Sequence, residues 1–179
     1  IMIEITFRGR GGQGAFTASK IIGNACVKQD NLYSLAFPTF GPERRGAPVS
    51  AFTKIDTKKI EDRTQVQNPD YLVILDESLF DIDELKNLTN CTVFINSSKK
   101  FEEKNVISVD ATKIALDILH KPITNTAMIG ALFSKFNVID KQSIVESFKD
   151  NLSPSVVDKN VELFEEVLKE VNENEKTRA

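Results

Sequence analysis

Three glycines near the start of the chain, Gly9, Gly11 and Gly14, have the spacing of a turn that binds dinucleotide phosphates. They belong to the motif Gly9-Arg10-Gly11-Gly12-Gln13-Gly14. Residues 1–6 before it alternate as a β-strand does, and residues 15–29 after it place apolar side chains at helical spacing. In such a turn an anion can approach backbone N–H groups at the positive end of a helix dipole. The motif indicates either an anion site or simply a tight turn.

The second predicted strand does not support the usual ligand of this turn. An NAD site needs an acidic residue about 20 positions after the glycines, at the end of that strand. The strand, residues 32–37, leads into Pro38-Thr39-Phe40, which has no carboxylate. A P-loop is excluded because the motif does not continue into Gly-Lys-Ser/Thr. The sequence therefore leaves the ligand of the glycine motif open.

A second unusual stretch, residues 38–48, contains three prolines, two glycines and the triplet Glu43-Arg44-Arg45. The prolines rule out a regular helix or a central strand. Arginine in a rigid turn can bind phosphate or carboxylate in a bidentate manner, or bury itself against a partner chain. A solvated surface loop is the alternative.

The remaining pattern predicts an α/β fold. Continuous apolar runs at 71–75, 91–95 and 106–109 indicate buried strands. Residues 49–55 alternate and are predicted to form a hairpin with a short strand near Ile60, which would make the sheet mixed.

Helical patterns complete the prediction. A helix is expected over 79–88, capped by Ser78 and Asp81, and Asp110 is expected to cap the next. The chain is predicted to be helical from about residue 112, with a close contact at Gly130 and a frayed tail beyond Asn172. We therefore expect a single domain, 1–179, with a three-layer α/β/α arrangement, a mostly parallel Rossmann-like sheet and a helical C-terminal segment.

Composition excludes several classes of protein. The chain has 179 residues and a net charge of −3, without a basic tract, which predicts no nucleic-acid partner. No apolar run approaches the ~20 residues that cross a bilayer, and no secretory signal is recognisable, which predicts a cytoplasmic protein without a membrane partner. Cys26 and Cys91 lie far apart in apolar patterns, so they are expected to be core thiols rather than ligands of zinc or a cluster. The single histidine, His120, is expected to end a helix rather than to catalyse.

Both motifs together resemble the gamma subunit of 2-oxoacid:ferredoxin oxidoreductases. The lead-in Ala36-Phe37-Pro38 and the exit Gly46-Ala47-Pro48 are similar to the pyruvate (or ketoisovalerate) branch rather than the 2-oxoglutarate or indolepyruvate branches. The resemblance covers nearly the whole chain and continues through Asn68-Pro69-Asp70, Asp76-Glu77, Val109-Asp110-Ala111-Thr112 and Asn125-Thr126-Ala127-Met128-Ile129-Gly130-Ala131.

The resemblance implies one subunit of an enzyme that decarboxylates a 2-oxoacid, with pyruvate favoured, and forms acyl-CoA and CO2. It places thiamine diphosphate, Mg and iron–sulfur clusters on partner subunits (alpha, beta and delta), with ferredoxin or flavodoxin as the electron acceptor. No catalytic residue or metal ligand is expected on this chain. A surface that faces CoA or a partner subunit is expected from Gly9, Arg10, Gly11, Gly12, Gln13, Gly14, Glu43, Arg44 and Arg45.

Three alternatives stay open from the sequence. The glycine spacing alone would fit a free-standing nucleotide-dependent oxidoreductase. The two loops would also fit a scaffold that binds only protein. The ketoisovalerate or 2-oxoglutarate branch of the same family is the third.

Overall fold

The computed structural model describes residues 2–39 and 44–179. Its strands are β1 (Ile3–Arg10), β2 (Tyr33–Pro38), β3 (Pro48–Asp56), β4 (Tyr71–Ile74), β5 (Thr92–Asn96) and β6 (Val106–Val109). These six form one sheet in the order β2-β3-β1-β4-β5-β6. Strands β1, β4, β5 and β6 are parallel, whereas β3 is antiparallel to both β1 and β2. The expected mixed sheet is confirmed.

The prediction that β3 forms a hairpin with a strand near Ile60 was wrong. The residues around Ile60 form no strand, and β3 lies between β1 and β2 instead. The physical reason is burial. Strands β1 and β2 offer apolar side chains on the faces of the sheet, whereas the stretch 57–63 is mostly charged and gains little by pairing.

The helices are α1 (Ala15–Val27), α2 (Ala111–Leu119), α3 (Asn125–Phe133), α4 (Lys141–Asn151) and α5 (Val157–Arg178). All five bury apolar side chains in one cluster on one face of the sheet, around residues such as Phe7, Phe94 and Phe164. The other face carries a smaller cluster with Leu72 and Ile74, covered by Phe80, Leu85, Leu88 and Phe101. The three-layer arrangement is confirmed, with one thick and one thin outer layer.

The thin layer corrects the predicted helix over 79–88. Two short 3-10 helices, Glu77–Leu79 and Ile82–Asn87, replace it. Phe80 between them is extended, with φ −116° and ψ 126°, and its ring lies 6.4 Å from that of Phe101. Asp81 then caps a new turn with Glu84 in a reciprocal capping box. The first cap is Asp76, not Ser78, since the Asp76 carboxylate accepts the Ser78 N–H.

The C-terminal tail also differs from expectation, because α5 continues to Arg178. Arg178 Nη1 donates to the Val106 carbonyl at 2.7 Å, and Nη2 donates to the carbonyls of Phe101 and Glu103 at 3.2 and 2.5 Å. Hydrogen bonds to carbonyl groups in and just before the edge strand β6 therefore order this polar tail. The sequence of the tail alone does not show these contacts.

Three smaller expectations hold, for the two cysteines, for Asp110 and for His120. Cys26 and Cys91 are free, buried thiols, and burial raises their pKa values to about 12 and about 11. Asp110 caps α2 by accepting the Lys113 N–H, and His120 ends that helix in a left-handed conformation. Among the described residues, no helix combines the length and apolar content needed to cross a bilayer.

Gly130 marks where α3 packs against α5, as the sequence predicted. A Cβ added there would collide with the backbone carbonyl of Phe164. Backbone cannot move aside as a side chain can, so this position sets the distance between the two helices.

Gly130→Ala should therefore lower the free energy of unfolding by about 1–3 kcal/mol, as overpacking does. Gly23 in α1 is the matched control, because the atoms nearest to a Cβ there, Ala36 Cβ and Ser34 Oγ, lie 3.4 Å away. Gly23→Ala should raise that free energy by up to about 1 kcal/mol through helix propensity. Urea unfolding of the purified variants measures both, and a Gly130→Ala protein as stable as the wild type would refute the packing argument.

Candidate functional site

The glycine motif begins inside β1, so that Gly9 and Arg10 are strand residues and the turn itself is 11–14. Gly14 is the N-cap of α1, with φ 84°, and no side chain caps the helix. A side chain at 14 would also meet Asn125 Nδ2 at 2.5 Å. The first turn of α1 contains no acidic residue. The N–H groups that open α1 are therefore not capped by a side chain, and the positive end of its dipole faces this edge of the sheet.

The second motif lies directly against this turn. Gly11 N–H donates to the Ala47 carbonyl at 2.7 Å, and Gly46 N–H donates to the Gly11 carbonyl at 3.1 Å. A Cβ at Gly11 would collide with the Arg44 carbonyl, so only glycine permits this approach. We call residues 11–14 and 44–47 together the rim. Of the predicted site residues, Glu43 lies outside the described residues.

Arg10 ties the rim to the loop after β4. Its Nε donates to Asp76 Oδ2 at 3.2 Å, Nη2 donates to Ser78 Oγ at 2.9 Å, and Nη1 donates to the Gly46 carbonyl at 3.0 Å. Gln13 adds two contacts, because its Oε1 accepts the Arg10 N–H at 2.7 Å and its Nε2 contacts Asp76 Oδ2 at 3.4 Å. Side chains from two segments and a backbone carbonyl from a third thus converge at the carboxyl ends of β1 and β4. We call this set of contacts among Arg10, Gln13, Asp76 and Ser78 the junction.

This junction lies at the edge of the sheet where open α/β folds bind dinucleotides. In such sheets the binding crevice is the point where successive connections leave in opposite directions, here between β1 and β4. Arg10, Gln13 and Asp76 meet there through an ion pair and hydrogen bonds. The contacts of the glycine turn within the chain are sufficient to account for the glycine spacing.

Asp76 is the acidic centre of the junction. The Ser78 hydroxyl, which donates to Asp76 Oδ1 at 2.6 Å, is the main reason why the pKa of the Asp76 carboxyl lies below its ordinary value. Partial burial opposes this shift, while the Ser78 N–H, the Gln13 amide and the Arg10 guanidinium add to it. The carboxylate form is thus the one that the folded chain stabilises.

Arg44 and Arg45 are different from Arg10. Both side chains are exposed, and within residues 2–39 and 44–179 neither guanidinium has a hydrogen bond or an ion pair. The Arg10 charge is balanced by Asp76, whereas these two are available at the surface of the rim. The arrangement can bind an anion or the carboxylates of another chain.

Sequence reasoning missed three residues of this site. Ser78 was expected only to cap a helix, and neither Asp76 nor Asn125 was assigned a role beside the glycine motif. Asn125 Nδ2 contacts the Gly14 carbonyl at 3.4 Å. The available signal was position, since Asp76 comes directly after a buried strand, at the edge where the glycine motif also lies.

The described residues do not fit a metal centre. Among them, no three His, Cys, Asp or Glu side chains are grouped so as to hold a metal ion. The chain has two cysteines, both buried, whereas an iron–sulfur cluster is held by four cysteine thiolates.

Comparison with known proteins identifies the class. The model of the family described as pyruvate ferredoxin/flavodoxin oxidoreductase matches residues 4–170. The chain belongs to this family. Its relatives within the family narrow the assignment further.

Pyruvate synthase subunit PorC of Methanothermobacter marburgensis is 46% identical over 165 residues, which cover 90% of this chain and 93% of that protein. The common subunit gamma of the pyruvate/ketoisovalerate oxidoreductases of Pyrococcus furiosus is 46% identical over 170 residues, covering 89% and 91%. The crystal structure of pyruvate oxidoreductase subunit PORC from Thermotoga maritima superimposes with a TM-score of 0.80 and 32% identity, covering 94% and 96%. The chain is thus a gamma-type subunit of a multi-subunit 2-oxoacid oxidoreductase.

The junction around Asp76 makes a prediction about acid stability. A carboxyl whose pKa is lowered by folding stabilises the fold above its ordinary pKa of 3.8 and loses that contribution as pH falls through the lower folded value. Asp76→Asn should lower the free energy of unfolding by about 1 kcal/mol at neutral pH. The difference from the wild type should shrink as the pH falls below 3.8 and through the lower pKa of the folded chain.

Urea unfolding across that pH range measures the difference. Asp83→Asn is the control, because its ion pair with Lys86 is largely exposed and should contribute little at any pH. A pH-independent loss in Asp76→Asn would show that shape rather than charge matters at position 76.

Proposed function

We propose that this chain is the gamma subunit of a CoA-dependent pyruvate:ferredoxin or flavodoxin oxidoreductase and that its rim faces CoA. The observation that carries the proposal is the joining of the glycine turn to the Arg44–Arg45 segment through Gly11. Thiamine diphosphate, Mg and the iron–sulfur clusters are assigned to alpha, beta and delta partner subunits, where thiamine diphosphate supplies the decarboxylation chemistry.

The rim has the chemistry that CoA phosphates require. The segment with the exposed Arg44 and Arg45 is hydrogen-bonded to Gly11, in the turn that leads into an α-helix N-terminus without a side-chain cap. Guanidinium groups bind phosphate oxygens in a bidentate manner, and the helix dipole favours the same negative charge. The part of this chain in the reaction is then to bind and orient CoA, while bond making and breaking take place on partner subunits.

Pyruvate is proposed as the substrate because the relatives are named for pyruvate or for pyruvate and ketoisovalerate together. The choice between these acids belongs to the pocket on the partner subunits. The same exposed arginines could instead pair with carboxylates of a partner subunit, and the kinetics and assembly of arginine variants separate the two roles.

The double substitution Arg44→Ala/Arg45→Ala in the assembled enzyme should raise the KM for CoA about tenfold for each guanidinium removed, since a charge-assisted hydrogen bond contributes roughly 1.5–3 kcal/mol. The kcat at saturating CoA should change little, because this chain takes no part in the chemical steps. Steady-state kinetics with varied CoA gives both values.

The matched control is Lys59→Ala/Arg63→Ala, which also removes two exposed positive charges. These residues come after β3, whose end lies at the opposite edge of the sheet from the rim. The control should leave the KM for CoA unchanged. An intact complex with an unchanged KM in Arg44→Ala/Arg45→Ala would remove the CoA role, and loss of assembly without a change in KM would assign the rim to subunit contact.

A further inference from the structure

Arg10 is placed differently from the other charged residues of the rim. Three of its five N–H donors are directed at fixed acceptors: Asp76 Oδ2, Ser78 Oγ and the Gly46 carbonyl. These acceptors come from two separate loops, and only the last belongs to the rim. Arg10 therefore connects the loop after β4 to the segment that carries Arg44 and Arg45.

The backbone N–H and carbonyl of Arg10 are also hydrogen-bonded within the chain. Its N–H is held by Gln13 Oε1 at 2.7 Å, and its carbonyl accepts the Gln13 N–H at 3.0 Å. The next residue, Gly11, makes both backbone hydrogen bonds to the 44–47 segment. A planar guanidinium fixed at one end by a carboxylate can hold the Gly46 peptide in one orientation at the other.

The charge of Arg10 is also already matched. Its ion pair with Asp76 is only about one-third exposed on the arginine side (35%) and less on the aspartate side (24%). A phosphate near Arg10 would have to compete with that carboxylate, whereas Arg44 and Arg45 have no such partner among the described residues. The two classes of arginine should therefore have different roles.

We propose that Arg10 is a positioning residue, which holds the 44–47 segment against the glycine turn so that Arg44 and Arg45 are presented to CoA, and that it does not bind CoA itself. This inference rests on the proposed function for its kinetic consequence. Its structural part, the dependence of the rim on Arg10, stands independently.

Hydrogen exchange on the purified chain tests the structural part. In Arg10→Ala the amides of Gly11 and Gly46 should exchange about tenfold faster, because the backbone bonds between the two loops lose their support. Arg10→Lys should show nearly the same acceleration, since an ammonium cannot bridge three acceptors in the plane of a guanidinium.

Arg8→Ala is the matched control. Arg8 lies on the same strand and forms an ion pair of the same type, with Glu84 at 2.9 Å, but does not touch the 44–47 segment. Its removal should leave exchange at Gly11 and Gly46 unchanged. Unchanged exchange in Arg10→Ala, or equal acceleration in Arg8→Ala, would overturn the positioning role whatever the ligand of the rim.

A double-mutant cycle in the assembled enzyme tests the functional part. Arg10→Ala should raise the KM for CoA about threefold to tenfold in the wild-type background and cause no further rise in Arg44→Ala/Arg45→Ala, because it acts through those two residues. The kcat should stay near the wild-type value in each. The proposal would be overturned if the increases in the KM for CoA caused by Arg10→Ala and by Arg44→Ala/Arg45→Ala multiplied when combined, and if Arg10→Lys kept the wild-type KM. Arg10 would then be a direct ligand of CoA.

The two arms separate this inference from the proposed function. If Arg44→Ala/Arg45→Ala does not change the KM for CoA, the proposed function fails, and the exchange measurement still decides whether Arg10 holds the rim. If that substitution raises the KM but Arg10→Ala alters neither exchange nor KM, the proposed function stands and the positioning role is refuted.

Discussion

The contact on which the rest of the site depends is the peptide group of Gly11 against the 44–47 segment. It is possible because Gly11 has no Cβ to collide with the Arg44 carbonyl. It is reached because β3 runs antiparallel to β1, with Arg10 opposite Pro48 at the last pair. The start of β3, not its end, therefore lies at the carboxyl edge of β1, and the preceding loop comes down beside the glycine turn. A parallel β3 would start at the other edge of the sheet.

The charge of the rim side chains is opposite in sign to the net charge of the whole chain. The chain carries a net charge of −3, yet two arginines are exposed at the rim beside the positive end of α1. Asp76 neutralises Arg10, whereas Arg44 and Arg45 have no ion pair within the described part of the chain, 2–39 and 44–179. Fields from exposed charges fall off within about a Debye length of 8–10 Å, so an anion at the rim experiences these groups more than the distant acidic surface. Net charge alone is therefore a poor guide to the ligand here.

The range of each interaction decides how much of this structure could be predicted from the sequence. Buried strands, the main helices and the contact at Gly130 were predictable because each is encoded by a local pattern or by one residue type. The two motifs were recognisable as special, but their meeting depends on the antiparallel pairing of β1 with β3, which local periodicity does not specify. Distant contacts also accompany the two features that were missed: Phe80, between the 3-10 turns, packs against Phe101, and Arg178 in the ordered tail donates to the Val106 carbonyl.

The glycine spacing shows why a motif predicts a turn more securely than a ligand. Glycines at 9, 11 and 14 answer geometric demands within the chain: contact with Leu75, approach to Arg44 and a left-handed cap near Asn125. The same spacing serves nucleotide enzymes because their turns meet similar demands. The ligand of such a turn depends on the groups that neighbouring loops place opposite it. Here those groups are the Arg10–Asp76 ion pair and the exposed Arg44 and Arg45, so the chemistry opposite this turn differs from that of a dinucleotide site.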